Sequence, residues 1–553
     1  VIWAIALMLF IAVAPSFFFK QPPRKPVATQ PSPDTAVQPR PATPALQPAP
    51  GGDAVESVAR PEQLITVSSP LYQHRISTRG GAIRQVTIEK YSSLNPAEKG
   101  RKVELLPDTA RINQLAILVG QETIDLSLWD FTPSAGSLEV TRPDSLVLTG
   151  TRNGITVRLA YHFRPDDYQV GVTGQATGLG PVGGHLSIDM GQGMRQTEAD
   201  SNANFYDYGV VTKTDESSLL RFSKLKAGET RTLSGPFEWA AVKSKYFVTA
   251  VLTLQENGPR LGGVTVKGGP SEQRVHHAAV SFGMPVDASG MFAYTLYAGP
   301  MEYPRLKAIG HDFYDINPYG WPGFRTLIRP IAVGARWLLV YLHEHLALAY
   351  GLVLIVFGVG IRILLWPLNQ KGMRAGLRMQ AIQPEMQRIQ DKYKNDPQQL
   401  QRQMMELYKR EGVNPFSGCW PMLLPWPILL ALFFVFQNTI ELRGQSFLWF
   451  PDLSLKDPLF ILPVLMGLSM FGLSKVGMQG VPPTPQTKVM LYFMPIMMTV
   501  MFLNFASGLN LYYFVQNLAS IPQQWMLARE RKRHQAANAV VVNTKPGGGG
   551  KKK

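Results

Sequence analysis

Cysteine is almost absent: Cys419 stands alone in 553 residues. That excludes an intrachain disulfide framework and any metal site built on several thiolates. Acidic side chains are missing where apolar residues are dense, since no Asp or Glu falls inside any long apolar run. No GxxxxGK[ST] loop occurs, and the Gly-rich Gly178–His185 follows no strand-to-helix pattern, so no phosphate cradle is read there. His343-Glu344-His345 is not a zinc HExxH pair, because adjacent and i+2 positions do not share a helix face. With no nucleophile–base pair evident either, neither an enzyme nor a cofactor is expected.

What is present is uneven. Hydrophobic residues make up 45% of the chain, but uninterrupted runs crowd the first 20 residues and the region after 337. The formal net charge of +16 is concentrated in the last third, which suits anionic lipid headgroups or nucleic acid. The first residue is Val1 rather than methionine, so preceding residues are expected. Residues 1–19 read as an uncleaved transmembrane signal anchor in preference to a cleaved signal peptide. Residues 20–58, rich in Pro, Ala, Gln and Thr, form a disordered spacer. Residues 59–315 read as a large all-β sandwich. Within it Ile155, Val157, Leu159, Tyr161 and Phe163 alternate with polar residues after Asn153-Gly154, the φ > 0 pair of a type I′ hairpin.

Residues 316–346 interleave Trp321, Phe324, Leu327, Ile328 and Trp337 with Arg325, Arg329 and Arg336, as a helix lying in a membrane interface would. Residues 347–368 read as a transmembrane helix that stops near Pro367 and carries one charge, Arg362. That arginine is either a functional site or a side chain snorkelling to the headgroups. Residues 369–415 form a helical hairpin: Met379, Ile382, Met386, Ile389 and Tyr393 make a thin seam, and Asp396-Pro397 restarts the second helix. Residues 416–528 hold four more apolar runs, Cys419–Ile440, Pro458–Leu473, Val489–Phe505 and Leu509–Leu527. Residues 529–553 are a basic tail ending in GGGGKKK, read as disorder or an appended tail.

The hairpin and the tail are strongly basic, whereas 441–457 has only Arg443 and Lys456. The positive-inside rule therefore puts hairpin and both termini in the cytoplasm, gives six spans, and leaves the β domain on the trans side. Three features of the spans stand out. Arg362 has no acidic partner in any span. Asn510, Tyr513, Asn517 and Ser520 share one face of the last helix, and Gln437 and Asn438 lie near the trans end of another. They read either as interhelical hydrogen-bond glue or as the wall of a wet groove. Met490, Met494, Met497, Met498 and Met501 crowd one run, as plain packing or as a surface for varied apolar partners.

The blocks GIRILLWPLNQKGM, MQAIQPEMQRIQDKYKND followed by MMELYKREGVNPFSGCWPMLLPWPILLALF, and SGLNLYYFVQNL resemble the YidC/oxidase-assembly/Albino family of membrane insertases in its Gram-negative form. The resemblance covers essentially the whole chain and is most specific in these blocks. It implies a protein of the bacterial inner membrane, with a five-helix core around a hydrophilic groove and a periplasmic β domain. Arg362, with Asn510, Tyr513, Asn517 and Gln437, would line that groove and receive the polar part of a nascent membrane protein. The client's apolar helix would slide out past Leu430, Phe433, Phe434, Met494, Met497, Met498 and Met501. Arg529, Arg531, Lys532 and Arg533 would contact the ribosome or membrane lipids, and the Sec translocon, SecYEG and SecDF, would be the partner. No small-molecule substrate is implied. Gly358, one turn before Arg362, stands where some relatives have a hydroxyl residue. The competing readings are a secondary transporter, disfavoured by the lack of inverted repeats, and a membrane-anchored periplasmic sugar-binding protein.

Overall fold

A computed structural model of the chain describes residues 61–120, 122–179, 184–253, 258–269, 277–287, 289–317, 319–320, 323–412, 426–479 and 485–543. For 368–369, 371–381, 383–384, 485–486 and 534–543 it describes the backbone alone. The expected anchor, the Pro-rich spacer, Cys419 and the GGGGKKK end lie outside these residues, as does much of the Gly178–His185 loop.

The hairpin forms as its sequence requires. Asp144–Arg152 pairs with Ile155–Phe163, and Asn153 and Gly154 take φ of 53° and 76° at the turn. Val157, Leu159, Tyr161 and Phe163 point inward and are buried. These strands belong to a nine-stranded sheet that ends at Ser217–Arg221 on one side and Thr132–Pro133 on the other. A six-stranded sheet, from Thr230–Phe237 to Glu122–Asp125, and a five-stranded sheet complete the domain. One apolar core serves all three. Asn113 stitches the sheets through that core: its amide donates to Tyr161 Oη at 2.7 Å and its carbonyl accepts from Tyr294 Oη at 2.5 Å. His74 is different. It is fully buried beside Tyr72 and Phe163 with neither ring nitrogen partnered, and burial pushes its pKa down to about 3.

Helices α1 (Ser201–Asp207) and α2 (Tyr303–Ile309) decorate the β domain. Helix α3 (Arg325–Leu346) starts later than the expected interfacial segment and runs through Pro330. It packs on Ile328, Ala332, Ala335 and Leu339 and leaves Phe324, Leu327, Trp337 and Tyr341 exposed. Its arginines do not all face outward: Arg336 is buried and paired with Glu441, and Arg329 reaches Asp315 and Tyr314.

Helix α4 (Tyr350–Ala381) does not stop near Pro367 but runs on to Ala381, 32 residues in all. Proline denies a bond only to the carbonyl of Ile363, and Ile363, Leu364 and Pro367 all lie on the helix's open side, where that loss is tolerated. Helices α5 (Gln383–Lys392) and α6 (Pro397–Arg410) form the expected helical pair. Asp396 caps α6, and Ile382 and Leu407 form a core of two buried residues. Then come α7 (Trp426–Asn438), α8 (Ile461–Gly477), a short α9 (Pro485–Lys488), a π-turn over Val489–Phe493, and α10 (Met494–Phe502). Helix α11 (Ser507–Asn543) runs 37 residues, through Pro522 and into the basic tail.

Among the described residues only Tyr350–Pro367 is long and apolar enough to cross a membrane by length and composition. Trp426–Asn438, Ile461–Gly477 and Val489–Phe502 are shorter apolar helices. Glycines set the helix crossings. A Cβ on Gly508 would lie 2.4 Å from the Phe436 ring, and one on Gly467 would lie 1.9 Å from Thr499 Oγ1.

Candidate functional site

Arg362 sits 12 residues into α4, about 18 Å along its axis. The residue is only 8% exposed, packed between α4 and α11. Nη2 instead donates to Gln523 Oε1 on α11 at 2.6 Å, and Gln523 Nε2 donates to the Trp366 carbonyl at 3.2 Å. Gln523 thus bridges two successive turns of α4. Arg362 Nε is buried with no partner, and no carboxylate pairs with this guanidinium among the described residues.

Close approach of the two helices makes the contact. A Cβ on Gly358 would meet Val515 Cγ1 at 3.3 Å and Tyr512 Cδ2 at 3.5 Å, so a larger residue here would push α11 away. Tyr512 is buried against Phe357, with its hydroxyl unpartnered. Arg362 Nε and the Tyr512 hydroxyl are therefore two buried polar groups at the α4–α11 contact with unmet hydrogen-bonding capacity among the described residues.

The polar stripe goes elsewhere. Asn510 is fully buried and donates to the carbonyls of Phe502 and Phe505, closing the turn after α10. Asn517 donates to Ser469 Oγ at 3.0 Å and to the Met466 carbonyl on α8. Tyr513 packs edge-on against Phe502. Asn517 and Gln523 are six positions apart, which puts them about 120° apart around the helix. The stripe's face therefore looks at α8 and α10, to which the Asn510 and Asn517 amides donate, while the buried Asn510 Oδ1 keeps no partner among the described residues. Gln437 lies at the end of α7 next to Glu441, which pairs with Arg336 of α3. None of Asn510, Tyr513, Asn517 and Gln437 shares a hydrogen bond with Arg362 among the described residues.

Gln523 was not singled out by spacing. The signal lay beside Pro522, a polar side chain one turn past Ala519 on the Tyr512 face.

Leu430, Phe433, Phe434, Met494, Met497, Met498 and Met501 are all half-buried. The Phe433 ring meets Phe505 with centroids 5.6 Å apart, joining α7 to the end of the α10 segment. The fully open face of that segment belongs to Tyr492, Phe493, Ile496 and Val500 instead. In the basic tail, Arg531 donates to the carbonyls of Gly477 and Gln479, both at 2.8 Å, and so caps α8. Arg529 stacks over Trp525, Lys532 reaches Gln479, and Arg533 is exposed.

The segment that follows α7 is tied to the β domain. Arg443, 3% exposed, donates to both carboxylate oxygens of Glu198, to the Ser92 carbonyl and to the Thr197 carbonyl.

Two family models match in tandem, the YidC periplasmic domain over residues 64–333 and the 60Kd inner membrane protein over 341–535. A curated relative from Oleidesulfovibrio alaskensis, named membrane protein insertase YidC, is 31% identical over 95% of this chain and 98% of its own. The chain belongs to the YidC membrane protein insertase family. A YidC from Maridesulfovibrio salexigens is 29% identical over 96% of this chain and 99% of its own length, and one from Syntrophus aciditrophicus 31% over 93% and 96%. A solved YidC insertase structure aligns over 84% of this chain and 93% of its own, at 16% identity and TM-score 0.34. The sequence matches alone carry the assignment. YidC proteins are insertases and chaperones rather than enzymes, and the β domain described above is the family's periplasmic domain.

Proposed function

We propose that this chain inserts membrane proteins into the bacterial inner membrane and helps them fold, with Arg362 as the polar receptor. The observation that supports this reading is a buried guanidinium whose only hydrogen-bonding partner among the described residues is neutral, Gln523, and whose Nε has no partner among them. A cation without an intramembrane counter-charge favours whatever carboxylate reaches it. A client's acidic segment would displace Gln523 from Arg362, and its charge-assisted hydrogen bond would offset part of the hydration lost on entering the hydrocarbon core. The client's apolar helix would then leave past the half-buried surface of Leu430, Phe433, Phe434, Met494, Met497, Met498 and Met501. Tyr513 and Asn517, half-exposed, would form the adjoining wall, while buried Asn510 would hold the helix turn.

In this reading the chain has six spans, five of them forming the core, with both termini cytoplasmic. The α5–α6 pair is cytoplasmic and recruits clients. The basic end of α11 approaches the ribosome and lipid headgroups, and SecYEG and SecDF are partners. The test is reconstitution of the purified chain into liposomes with a small single-span protein whose trans segment is acidic. Protease-protected insertion that depends on Arg362 is expected. Solute uptake without insertion would overturn the proposal in favour of a transporter.

A further inference from the structure

Seven non-glycine residues among those described have φ in the left-handed region, and only Leu448 (φ 53°) and Phe460 (φ 55°) are large and apolar. Neither side chain can form the local hydrogen bond that lets Asn or Asp adopt this conformation readily. Both are exposed, Leu448 by 72% and Phe460 by 43%. Strained backbone that presents an apolar side chain to the outside contributes nothing to the core, so its use must lie outside it.

The surrounding loop is built to hold the two tips. Phe447 and Phe450 exchange backbone hydrogen bonds at 3.0 and 2.9 Å, closing the turn that carries Leu448. Phe450 is buried, and Phe447 lies where a Cβ on Gly351 would stand, so the turn's base is pinned to the start of α4. Trp449 Nε1 donates to Asp457 Oδ1 at 3.2 Å. Fully buried Asp457 also accepts from the backbone N–H groups of Leu459 and Leu462, fixing the left-handed Phe460 at the head of α8. One carboxylate thus couples the two tips.

We propose that the 447–460 loop is a membrane-interface anchor that sinks Leu448 and Phe460 into the headgroup region of the trans leaflet. The inference rests on the membrane reading of α8. Directly below Phe460, Ile461, Val464 and Leu468 form an exposed apolar stripe along α8, so the tips continue a surface already turned to lipid. No carboxylate is exposed across 447–460, since Asp452 and Asp457 are both buried; the one exposed charge is Lys456. Apolar tips, an interfacial tryptophan and a lone lysine match the chemistry of a bilayer interface.

The test uses the full chain with Cys419→Ser, reconstituted in phosphatidylethanolamine–phosphatidylglycerol vesicles. Single cysteines at 448, 460, 456 and 468 carry a nitroxide whose collisions with oxygen and with a water-soluble nickel chelate are compared. Labels at 448 and 460 are expected to meet the chelate several-fold less often than the label at 456. Equal collision at 448, 460 and 456, with 468 protected, overturns the anchor. Protection of 448 and 460 only when the Sec translocon is added overturns it in favour of a protein contact. A label at 468 as open to the chelate as that at 456 would instead overturn the membrane reading of α8 itself. Leu448→Asn, which suits the left-handed backbone, should keep the unfolding temperature in detergent while moving the label at 460 toward water. An unchanged label at 460 would remove Leu448 from the anchor.

Discussion

Arg443 Nε lies 3.0 and 2.9 Å from the two carboxylate oxygens of Glu198, 245 positions earlier in the chain and in the other domain. Both side chains are almost wholly buried, at 3% and 5% exposure. Removing one partner strands the other's charge. Arg443→Gln should therefore cost about 3–5 kcal/mol, and adding Glu198→Gln should recover much of that. Thermal unfolding in detergent, with hydrogen exchange at 92–94 and 197–198, reads the effect. A double variant no more stable than the single one would assign the junction to packing alone.

Arg362→Ala should impair clients with acidic trans segments most, and Arg362→Lys should retain more activity. A charge-assisted hydrogen bond contributes about 1.5–3 kcal/mol, or roughly ten- to hundredfold in client binding. Gln523→Ala should do less damage, because it frees the guanidinium rather than removing it. Insertion assays on paired acidic and neutral clients check this; equal activity of Arg362→Ala on both would remove the electrostatic role.

Gly508→Ala should destabilise the core by about 1–3 kcal/mol, because the new methyl group collides with the Phe436 ring and lies 3.2 Å from the Leu453 carbonyl. Phe436→Leu in the same chain should restore part of the loss by opening space. Unfolding temperatures of the three variants in one detergent decide it.

His74 sets an acid limb on the β domain. Its folded pKa is about 3, against 6.5 when unfolded, so between those values only the unfolded chain takes up the proton. Stability should fall as pH drops from 6.5 toward 3, by up to about 1.4 kcal/mol per pH unit from this residue. Denaturant unfolding at several pH values should show a shallower limb for His74→Leu than for the parent.

The β hairpin was legible because its signal is local: a period of two and an Asn-Gly turn decide it together. The α5–α6 pair was legible for the same reason, from its seam and the Asp396 cap. The end of α4 was not. Pro367 looks like a stop, and only the exposure of its helix face shows why the helix can continue. The Arg362–Gln523 bond was not legible either, because it joins residues 161 positions apart across a helix crossing set by Gly358. The spacing of Asn510, Tyr513 and Asn517 puts them on one face, but sequence does not say which neighbour that face meets. Arg336 and Arg443, read as interfacial or loop charges, are buried ties, because their carboxylates come from distant segments.

Helix α11 spans 37 residues, about 55 Å, far more than the ~30 Å of a hydrocarbon core. The helix is therefore longer than any single span it could make, and Pro522 withholds one backbone hydrogen bond partway along it. Gln523 is the next residue. The basic end of α11 and the residue bonded to Arg362 thus share one continuous helix, so a displacement of that end is transmitted along a single backbone to the Arg362–Gln523 contact.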